Sequence, residues 1–291
     1  MANLKEIRIR ISSVESTKQI TSAMKLVAAS KLKRAQDAIT QMRPYANKLT
    51  EILRDLSSGS DTEGNVYVEQ RDINKVLIVP ISSNRGLCGA FNANIVKRVK
   101  QLLEEDYAEQ YRSGDVDVLT IGRKVSEAFA KMDLEVIETH DDIWNELNWE
   151  NVIDLAEGIL ELWREGEYDR IDLVYNQFKN AATQILTHEQ FLPVQPAEED
   201  ELGGSSNHDY IMEPSKEVIV NELIPKTLKT QLYKALLDSH AAEHGARMTA
   251  MHQATDNATE LVKDLKLTYN KARQAAITNE IIEIVSGANA L

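Results

Sequence analysis

The sequence predicts an α/β protein with two long terminal helices, which can pair antiparallel, and a middle domain built on an open, mostly parallel sheet. Three observations predict this fold. None of the 12 glycines falls in residues 1–58, and Gly245 is the single glycine between Ser215 and Ser286. Helical spacing of apolar residues continues through both ends. Strand and helix patterns alternate between them, so the predicted segments are residues 1–58, 70–214 and 215–291.

The N-terminal segment is predicted to be one long helix that ends near residues 57–59. Its apolar residues first follow the 3-4-3 spacing of a coiled-coil seam and then continue as a stripe. Pro44 should kink or interrupt the helix, because proline lacks an N–H group and its ring clashes with the preceding turn. The seam residues are Leu4, Ile7, Ile11 and Val14, and the stripe continues through Ile20, Met24 and Val27.

The C-terminal segment is predicted to be a second, longer helix. Ser215 is suited to cap its first turn, and Pro225 should break or kink its start. From residue 226 to 286 the pattern is helical, and about 60 residues would span roughly 90 Å. No ordinary globular domain buries a helix of that length, so pairing with the N-terminal helix is expected. Gly245 is a candidate soft point within it. The apolar stripe includes Leu232, Leu236, Ala242, Ala246, Leu261, Leu265, Tyr269, Ala272 and Ala276.

The middle segment alternates strand and helix signals, which predicts helices on both faces of the sheet. Residues 196–209 are acidic and rich in turn-forming residues, and they are predicted to form a mobile loop. The predicted strands are residues 76–79, 116–121, 134–137, 171–175 and 184–191, and the predicted helices are residues 92–106, 123–131 and 149–164.

Charge is distributed unevenly along the chain, whose net charge is −13. Residues 1–58 carry a net charge of +6, residues 59–217 carry −19, and residues 218–291 are neutral. A basic helix indicates either a solvated face or an acidic partner. Nucleic acid is a poor candidate for that partner, because the N-terminal segment has one aromatic residue, Tyr45, and no nucleic-acid-binding motif.

The composition excludes further classes of protein. The single cysteine, Cys88, excludes an internal disulfide and fits a reducing compartment. No run approaches 18 apolar residues, so the sequence predicts no membrane span. The N-terminus lacks the apolar core of a secretory signal.

Residues 240–244, HAAEH, spell the H-x-x-E-H signature of the inverted zinc peptidases. On a helix, His240 and His244 would share a face, with Glu243 placed to act on a metal-bound water. A peptidase also needs a third protein ligand and a closed cleft, whereas these residues lie within a long helix beside alanines. The zinc peptidase is therefore the weaker alternative, and both histidines are predicted to be solvent-facing or packed helix residues.

The loop at residues 82–91 follows the first predicted strand, where doubly wound folds bind phosphates. Its sequence Gly86-Leu87-Cys88-Gly89 matches neither the dinucleotide fingerprint nor the P-loop. A structural turn is therefore favoured over a nucleotide-binding enzyme. For the same loop, a small buried Cys88 is favoured over a catalytic nucleophile.

The end of the chain carries a family resemblance. Residues 277–290, ITNEIIEIVSGANA, match the pattern I/V-T-x-E-x-x-D/E-x-x-x-G-A-x-small. This pattern resembles the signature of the gamma subunit of F-type ATP synthases. The resemblance covers essentially the whole chain, with its motifs in the family's order. Further motifs are Ile20-Thr21 to Met24 with VAASK at residues 27–31, NRGLCG at 84–89, ARM at 246–248 with Ala250-Met251, ATDNA at 254–258 and YNKARQ at 269–274.

This resemblance implies an antiparallel, left-handed coiled coil that forms a shaft, with a Rossmann-like domain at its base that has no nucleotide site. It implies that the shaft enters a ring of alternating alpha and beta subunits, while its foot sits on the c-ring and binds epsilon. Proton flow would turn the ring and the shaft. The family implies no catalytic residue, cofactor or metal of its own, and a peripheral location on the cytoplasmic face of the bacterial inner membrane.

The resemblance also implies four groups of contact residues. Met212 departs from the aromatic residue often found at its position in the family. A free-standing coiled-coil scaffold, which would self-associate through its helices, is the alternative from a different class. The implied contacts are Arg273, Gln274 and Thr278 for the beta catch loop; Met24, Lys25 and Lys31 for the acidic loop of the beta C-terminal domain; Tyr210, Met212 and Glu213 for the c-ring and epsilon; and Ile281, Ile284, Val285 and Leu291 for an apolar bearing tip.

Overall fold

The computed structural model describes residues 4–57, 65–132, 134–194 and 216–289. Its residues cluster into two compact units. The helical unit is Met1–Ala29 together with Arg247–Leu291, and the sheet unit is Ser30–Ala246. The predicted loop at residues 196–209 and the predicted cap Ser215 lie outside the described residues. The three-segment division remains a prediction.

The helices confirm the prediction of one long helix towards each end of the chain. The first contains 54 residues and the last contains 74. The short helix α3 and a 3₁₀ helix at Asp142–Trp144 were not predicted. The α-helices are α1 (Leu4–Ser57), α2 (Phe91–Glu104), α3 (Ala108–Ser113), α4 (Arg123–Phe129), α5 (Trp149–Arg164) and α6 (Lys216–Asn289).

The sequence predicted a kink or an interruption at each of the two prolines, and neither helix is interrupted there. Pro44 lies inside α1 and Pro225 lies inside α6, and both helices continue past them. A proline within a helix removes one backbone hydrogen bond and crowds the preceding turn. Buried apolar residues flank both positions, including Leu49 in α1 and Leu228 in α6. Tertiary packing therefore holds each helix through a residue that the sequence alone marks as a break.

Five strands form one sheet in the order β3-β2-β1-β4-β5. The central strand β1 pairs in parallel with β2 and β4, and β3 pairs in parallel with β2. Strand β5 is antiparallel to β4 because a short turn at residues 180–183 joins them. The predicted open, mostly parallel sheet is confirmed, with strand ends that differ by a few residues. The strands are β1 (Val76–Pro80), β2 (Val116–Thr120), β3 (Glu135–Thr139), β4 (Arg170–Phe178) and β5 (Gln184–Leu192).

Both faces of the sheet are covered by helices, as expected for parallel strands. Successive residues of a strand point to opposite faces, so β1 supplies both cores. Val76 and Ile78 pack with residues of α2 and α4. Leu77 and Val79 pack with residues of α5 and with the part of α6 that belongs to the sheet unit. These two layers make the sheet unit a three-layer α/β domain.

A buried carboxylate on β4 is fully paired by neighbouring side chains. Asp172 accepts hydrogen bonds from the Tyr107 hydroxyl and from Arg170 Nε, the latter at 3.1 Å. Its Oδ2 also lies 2.6 Å from His188 Nε2. Burial, and next the Asp172 carboxylate, raise the pKa of Tyr107 above its ordinary range. The phenol therefore stays protonated as the donor to Asp172. This cluster satisfies a buried charge within the fold.

Candidate functional site on the paired helices

Side-chain contacts between α1 and α6 in the helical unit fix an antiparallel register. In each contact the two residue numbers add to between 276 and 281, so the partners run in opposite directions. The heavy-atom contacts join Arg8 to Tyr269 at 2.9 Å, Glu15 to Lys266 at 2.7 Å, Thr21 to Thr255 at 2.8 Å, and Lys25 to His252 at 3.3 Å. The predicted antiparallel pairing is therefore confirmed in this unit.

Ile7 of the predicted seam is buried, but further along α1 the helical unit uses smaller residues than the sequence stripe predicted. Thr21 and Ala28 of α1 are buried, whereas the neighbouring Ile20 and Val27 are 60% and 58% exposed. The expectation that Ile20 and Val27 line the seam was wrong, because the buried stripe is offset by one residue. Small seam residues allow the helix backbones to approach closely and leave the larger apolar side chains outside. Leu26 shares that exposure at 68%.

The predicted catch-loop residues all lie on the exposed surface of α6. Arg273, Gln274 and Thr278 are exposed. The Thr278 hydroxyl donates a hydrogen bond to the Gln274 carbonyl at 2.9 Å, which leaves its methyl group and both oxygen lone pairs for a partner. Residues 274 and 278 are four apart and therefore share one helix face. Their contact with a beta subunit stays a prediction.

The residues predicted to face an acidic loop fall into the two units. Met24 and Lys25 are half-buried in the helical unit, and Lys31 is exposed in the sheet unit. Lys25 Nζ lies 3.3 Å from His252 Nδ1, and His252 Nδ1 in turn lies 3.5 Å from Asp256 Oδ2. These are surface contacts, which contribute little stability individually. Lys25 and Lys31 therefore remain available to an acidic partner.

The predicted bearing tip is exposed apolar surface at the end of α6. Ile281, Ile284 and Val285 are 55%, 70% and 53% exposed. In the observed register, Leu4 of α1 lies opposite residues 272–277 of α6, which continues to residue 289. The last turns of α6 thus extend beyond the first described residue of α1. Leu291, the fourth predicted tip residue, lies outside the described residues.

The c-ring and epsilon contacts predicted at Tyr210, Met212 and Glu213 also lie outside the described residues. Within the described ranges, no helix is long and apolar enough to cross a membrane. The same ranges contain no group of three or more His, Cys, Asp or Glu side chains arranged to hold a metal ion.

The loop after β1 folds as a turn held by its own side chains. Leu87 and Gly89 have positive φ angles of 62° and 60°. Asn92 Nδ2 donates to Cys88 Sγ at 3.3 Å, and Asn92 Oδ1 accepts from the Ser83 backbone N–H at 3.1 Å. Cys88 is buried and packs with Phe91. This geometry agrees with the structural turn and the small buried cysteine that the sequence favoured.

The HAAEH stretch is packed within the sheet unit. His244 and Glu243 are buried, and His240 is half-buried with its ring stacked on Trp144 at 5.7 Å. Both histidines are thus packed helix residues, one of the two outcomes that the sequence predicted. The following Gly245 lies against the β4–β5 turn, where an added Cβ would be 3.2 Å from Ala181 Cα. This close approach explains why a residue without a side chain stands at position 245, which the sequence alone did not reveal.

Exposed apolar side chains beside basic ones, on a pair of helices, define a partner-binding subunit. A protein-family model described as ATP synthase matches residues 3–291. A relative named ATP synthase gamma chain from Flavobacterium johnsoniae is 60% identical over 100% of this chain and 99% of its own length. A relative of the same name from Cytophaga hutchinsonii is 51% identical with the same coverage.

Solved structures agree with these relatives. The central stalk and c-ring structure of the Tetrahymena thermophila mitochondrial ATP synthase contains a chain with 27% identity and a TM-score of 0.61, which covers 81% of this chain and 99% of that chain. A chain of the Euglena gracilis mitochondrial ATP synthase has 21% identity and a TM-score of 0.68, covers 99% of this chain and 94% of that chain, and supports the fold. The chain belongs to the ATP synthase gamma-chain family.

Proposed function

We propose that this chain is the central rotor stalk of an F-type ATP synthase and transmits torque from a proton-driven c-ring to the catalytic alpha/beta ring. The observation that carries the proposal is the antiparallel helix pair whose end exposes Ile281, Ile284 and Val285. In an isolated protein such an exposed apolar surface would favour aggregation. Inside a ring of partner subunits it provides an apolar contact that holds no fixed ion pair during rotation.

The helix pair has the stiffness that a torque-bearing element requires. Within α1 and α6 of the helical unit, the described residues include no proline and a single glycine, Gly287, close to the helix end. Interhelix contacts such as Glu15 with Lys266 recur along the pair. The exposed ion pairs are individually weak, about 0–1 kcal/mol each. Pairs between exposed charges of the shaft and a partner subunit would be equally weak, so no single contact of that kind would trap the shaft at one angle.

We assign the beta contacts to two exposed regions. Arg273, Gln274 and Thr278 supply hydrogen-bonding groups for the catch loop on one face of α6. Lys25 and Lys31 supply positive charge for the acidic loop of the beta C-terminal domain. The exposed Ile20, Leu26 and Val27, which sequence reasoning missed as surface residues, add apolar area in the same part of α1.

For the contacts with the c-ring and epsilon, the resemblance assigns Tyr210, Met212 and Glu213. The chain would then be a peripheral membrane protein on the cytoplasmic face of the bacterial inner membrane, without a catalytic site of its own. Segments 1–58 and 215–291 would form the shaft, and segment 70–214 its base.

The test is reconstitution with purified alpha and beta subunits. The isolated chain should have no ATPase activity, and the assembled complex should hydrolyse ATP with rotation of a bead attached to the sheet unit. A matched complex whose chain lacks the helical end from residue 277 onward keeps the base but loses the tip. ATP hydrolysis by the isolated chain, or assembly without any rotation, would contradict the proposal.

A further inference from the structure

His240 and His244 form a close imidazole pair on one face of α6. Their Nε2 atoms lie 3.1 Å apart, with ring centroids 4.5 Å apart and ring planes inclined by 80°. Both residues and their surroundings belong to the sheet unit. In the metal-free protein, one Nε2–H can donate to the lone pair of the other ring.

The same spacing suits chelation of one metal ion by both Nε2 atoms. With metal–nitrogen bonds of about 2.05 Å, nitrogens 3.1 Å apart would subtend an angle of about 98° at the ion. That angle lies between the octahedral value of about 90° and the tetrahedral value of about 109°. The two rings therefore need little movement to bind an ion, provided that both carry their proton on Nδ1.

The fold holds these rings in place before any ion binds. The His240 ring is stacked on Trp144, with the two ring planes 12° apart, and the neighbouring Ala241 and Ala242 are fully buried. His244 is itself buried. His240 is half-exposed, which gives an ion and its water ligands a route to the pair. Such pre-organisation lowers the entropy lost on binding.

We propose that His240 and His244 bind one divalent transition-metal ion of the Zn²⁺ and Ni²⁺ class. Imidazole nitrogen is a preferred ligand for these ions. No group of three or more His, Cys, Asp or Glu side chains is arranged to hold a metal ion in the described ranges, so water fills the remaining positions. The site is thus a two-histidine clamp and not the three-ligand centre of a peptidase. It does not depend on the rotor function.

Trp144 makes the site directly measurable. Paramagnetic Ni²⁺ bound to His240 would lie close to the stacked indole and quench its fluorescence. The experiment titrates Ni²⁺ into the full-length, tag-free chain, follows tryptophan emission, and then adds Zn²⁺ as a competitor. Saturable quenching with one ion per chain, reversed by Zn²⁺, is the expected result.

Two variants remove one proposed ligand each, and two others test the specificity of binding and the source of the fluorescence signal. His244→Asn and His240→Asn should each weaken Ni²⁺ binding at least about tenfold, because one of two protein ligands is lost. His252→Asn, which changes a histidine of the helical unit, should leave binding unchanged. Trp144→Phe should lose most of the quenching while calorimetry still detects the ion. Circular dichroism checks that each variant is folded.

The two single-histidine variants test the same clamp independently, so a folding defect in one leaves the other decisive. Absence of saturable quenching in the unaltered chain would overturn the proposal. Equal Ni²⁺ affinity in the unaltered chain and in a folded His240→Asn or His244→Asn variant would overturn it as well.

Discussion

The two units of this protein use large apolar side chains in opposite ways. The sheet unit buries them, and Trp163, Tyr168 and Phe129 are almost fully enclosed. The helical unit buries a few, such as Ile7 and Met251, but it leaves Ile20 and Ile284 mostly exposed and places the small Thr21 and Ala28 in its seam. Apolar area removed from water stabilises a fold, whereas exposed apolar area is free to bind a partner. The sheet unit is therefore built for stability and the helical unit for contact.

The sharpest test of this contrast exchanges one large side chain in each unit for alanine. Trp163 is fully buried, and its indole N–H donates to the Val66 carbonyl at 2.9 Å. Trp163→Ala should lower the free energy of unfolding by about 3–5 kcal/mol, because it leaves a cavity and an unpaired carbonyl. Ile284→Ala should change the same quantity by less than about 0.5 kcal/mol, since that side chain is exposed in the isolated chain.

Urea unfolding followed by far-ultraviolet circular dichroism measures both variants. Similar losses of stability for Trp163→Ala and Ile284→Ala would show that the tip of α6 is packed in the isolated chain, and the contrast between the units would fail.

The next largest change in stability is expected at Gly245, which the sequence suggested as a soft point of α6. A Cβ at Gly245 would lie 3.2 Å from Ala181 Cα and 3.3 Å from its carbonyl oxygen, both of which are backbone atoms. Gly245→Ala should therefore destabilise the sheet unit by about 1–3 kcal/mol. Gly158 of α5 is the matched control, because an added Cβ there meets nothing within 4 Å.

Gly158→Ala should stabilise the chain by about 0.4–1 kcal/mol, since alanine is the better helix former and has fewer unfolded conformations. Thermal unfolding of both variants distinguishes the two roles of glycine. An increase in Tm for Gly245→Ala would mean that the close approach to Ala181 does not constrain α6.

Much of the fold could be predicted from local pattern. The bounds of α5 match the predicted residues 149–164, because its apolar residues repeat at helical spacing and Asn148 caps its first turn through a hydrogen bond to the Asn151 N–H. The sequence could not predict the close approach at Gly245, because it depends on a turn more than 60 residues away. The continuity of the helices through Pro44 and Pro225 likewise depends on tertiary packing.

The candidate site was predicted less completely than the fold. The motif at residues 277–290 predicted an apolar tip, and the structure leaves Ile281, Ile284 and Val285 exposed there, while their contact with a ring stays a prediction. The apolar spacing assigned Ile20 and Val27 to the seam, whereas the structure buries Thr21 and Ala28 instead. Seven-residue steps from Ile7 and Val14 reach Thr21 and Ala28, but the larger apolar residues beside them drew the predicted stripe one position away. A stripe of small residues one position away was the signal that could have decided it.

A smaller effect on stability, which depends on pH, is expected from changing Asp238, a buried carboxylate of the sheet unit. The Asp238 carboxylate is buried, and Arg43 Nη2 lies 3.9 Å from its Oδ1. Burial raises the pKa of Asp238 above its ordinary value of 3.8, against the opposing attraction of Arg43. Folding therefore favours the protonated form, and this contribution to stability is present below pH 3.8 and is lost as the pH rises through the folded-state pKa.

Asp238→Asn should remove this dependence and raise Tm by roughly 1–3 °C at pH 8, with little change at pH 4. The exposed Asp264→Asn is the control and should leave Tm unchanged at both pH values. A lower Tm for Asp238→Asn at pH 8 would mean that the ion pair with Arg43 outweighs the cost of burying the charge.

The smallest effect on stability should accompany a clear effect on function. Arg273 and Gln274 are exposed on the helical unit. The double change Arg273→Ala with Gln274→Ala should therefore alter the free energy of unfolding by less than about 0.5 kcal/mol. In the assembled enzyme, loss of two hydrogen-bonding groups at the proposed beta contact should reduce ATP synthesis at least about fivefold. Proton-driven ATP synthesis in membrane vesicles, normalised to assembled complex, measures the effect.

The matched control is Lys100→Ala with Gln101→Ala, a neighbouring cation and amide on α2 of the sheet unit. It should leave both assembly and ATP synthesis near those of the unaltered enzyme. If the change at residues 273 and 274 lowered assembly and synthesis to the same extent, these residues would act in building the complex and not in coupling. If synthesis fell while assembly held, the exposed face of α6 would be the surface through which the shaft acts on its ring.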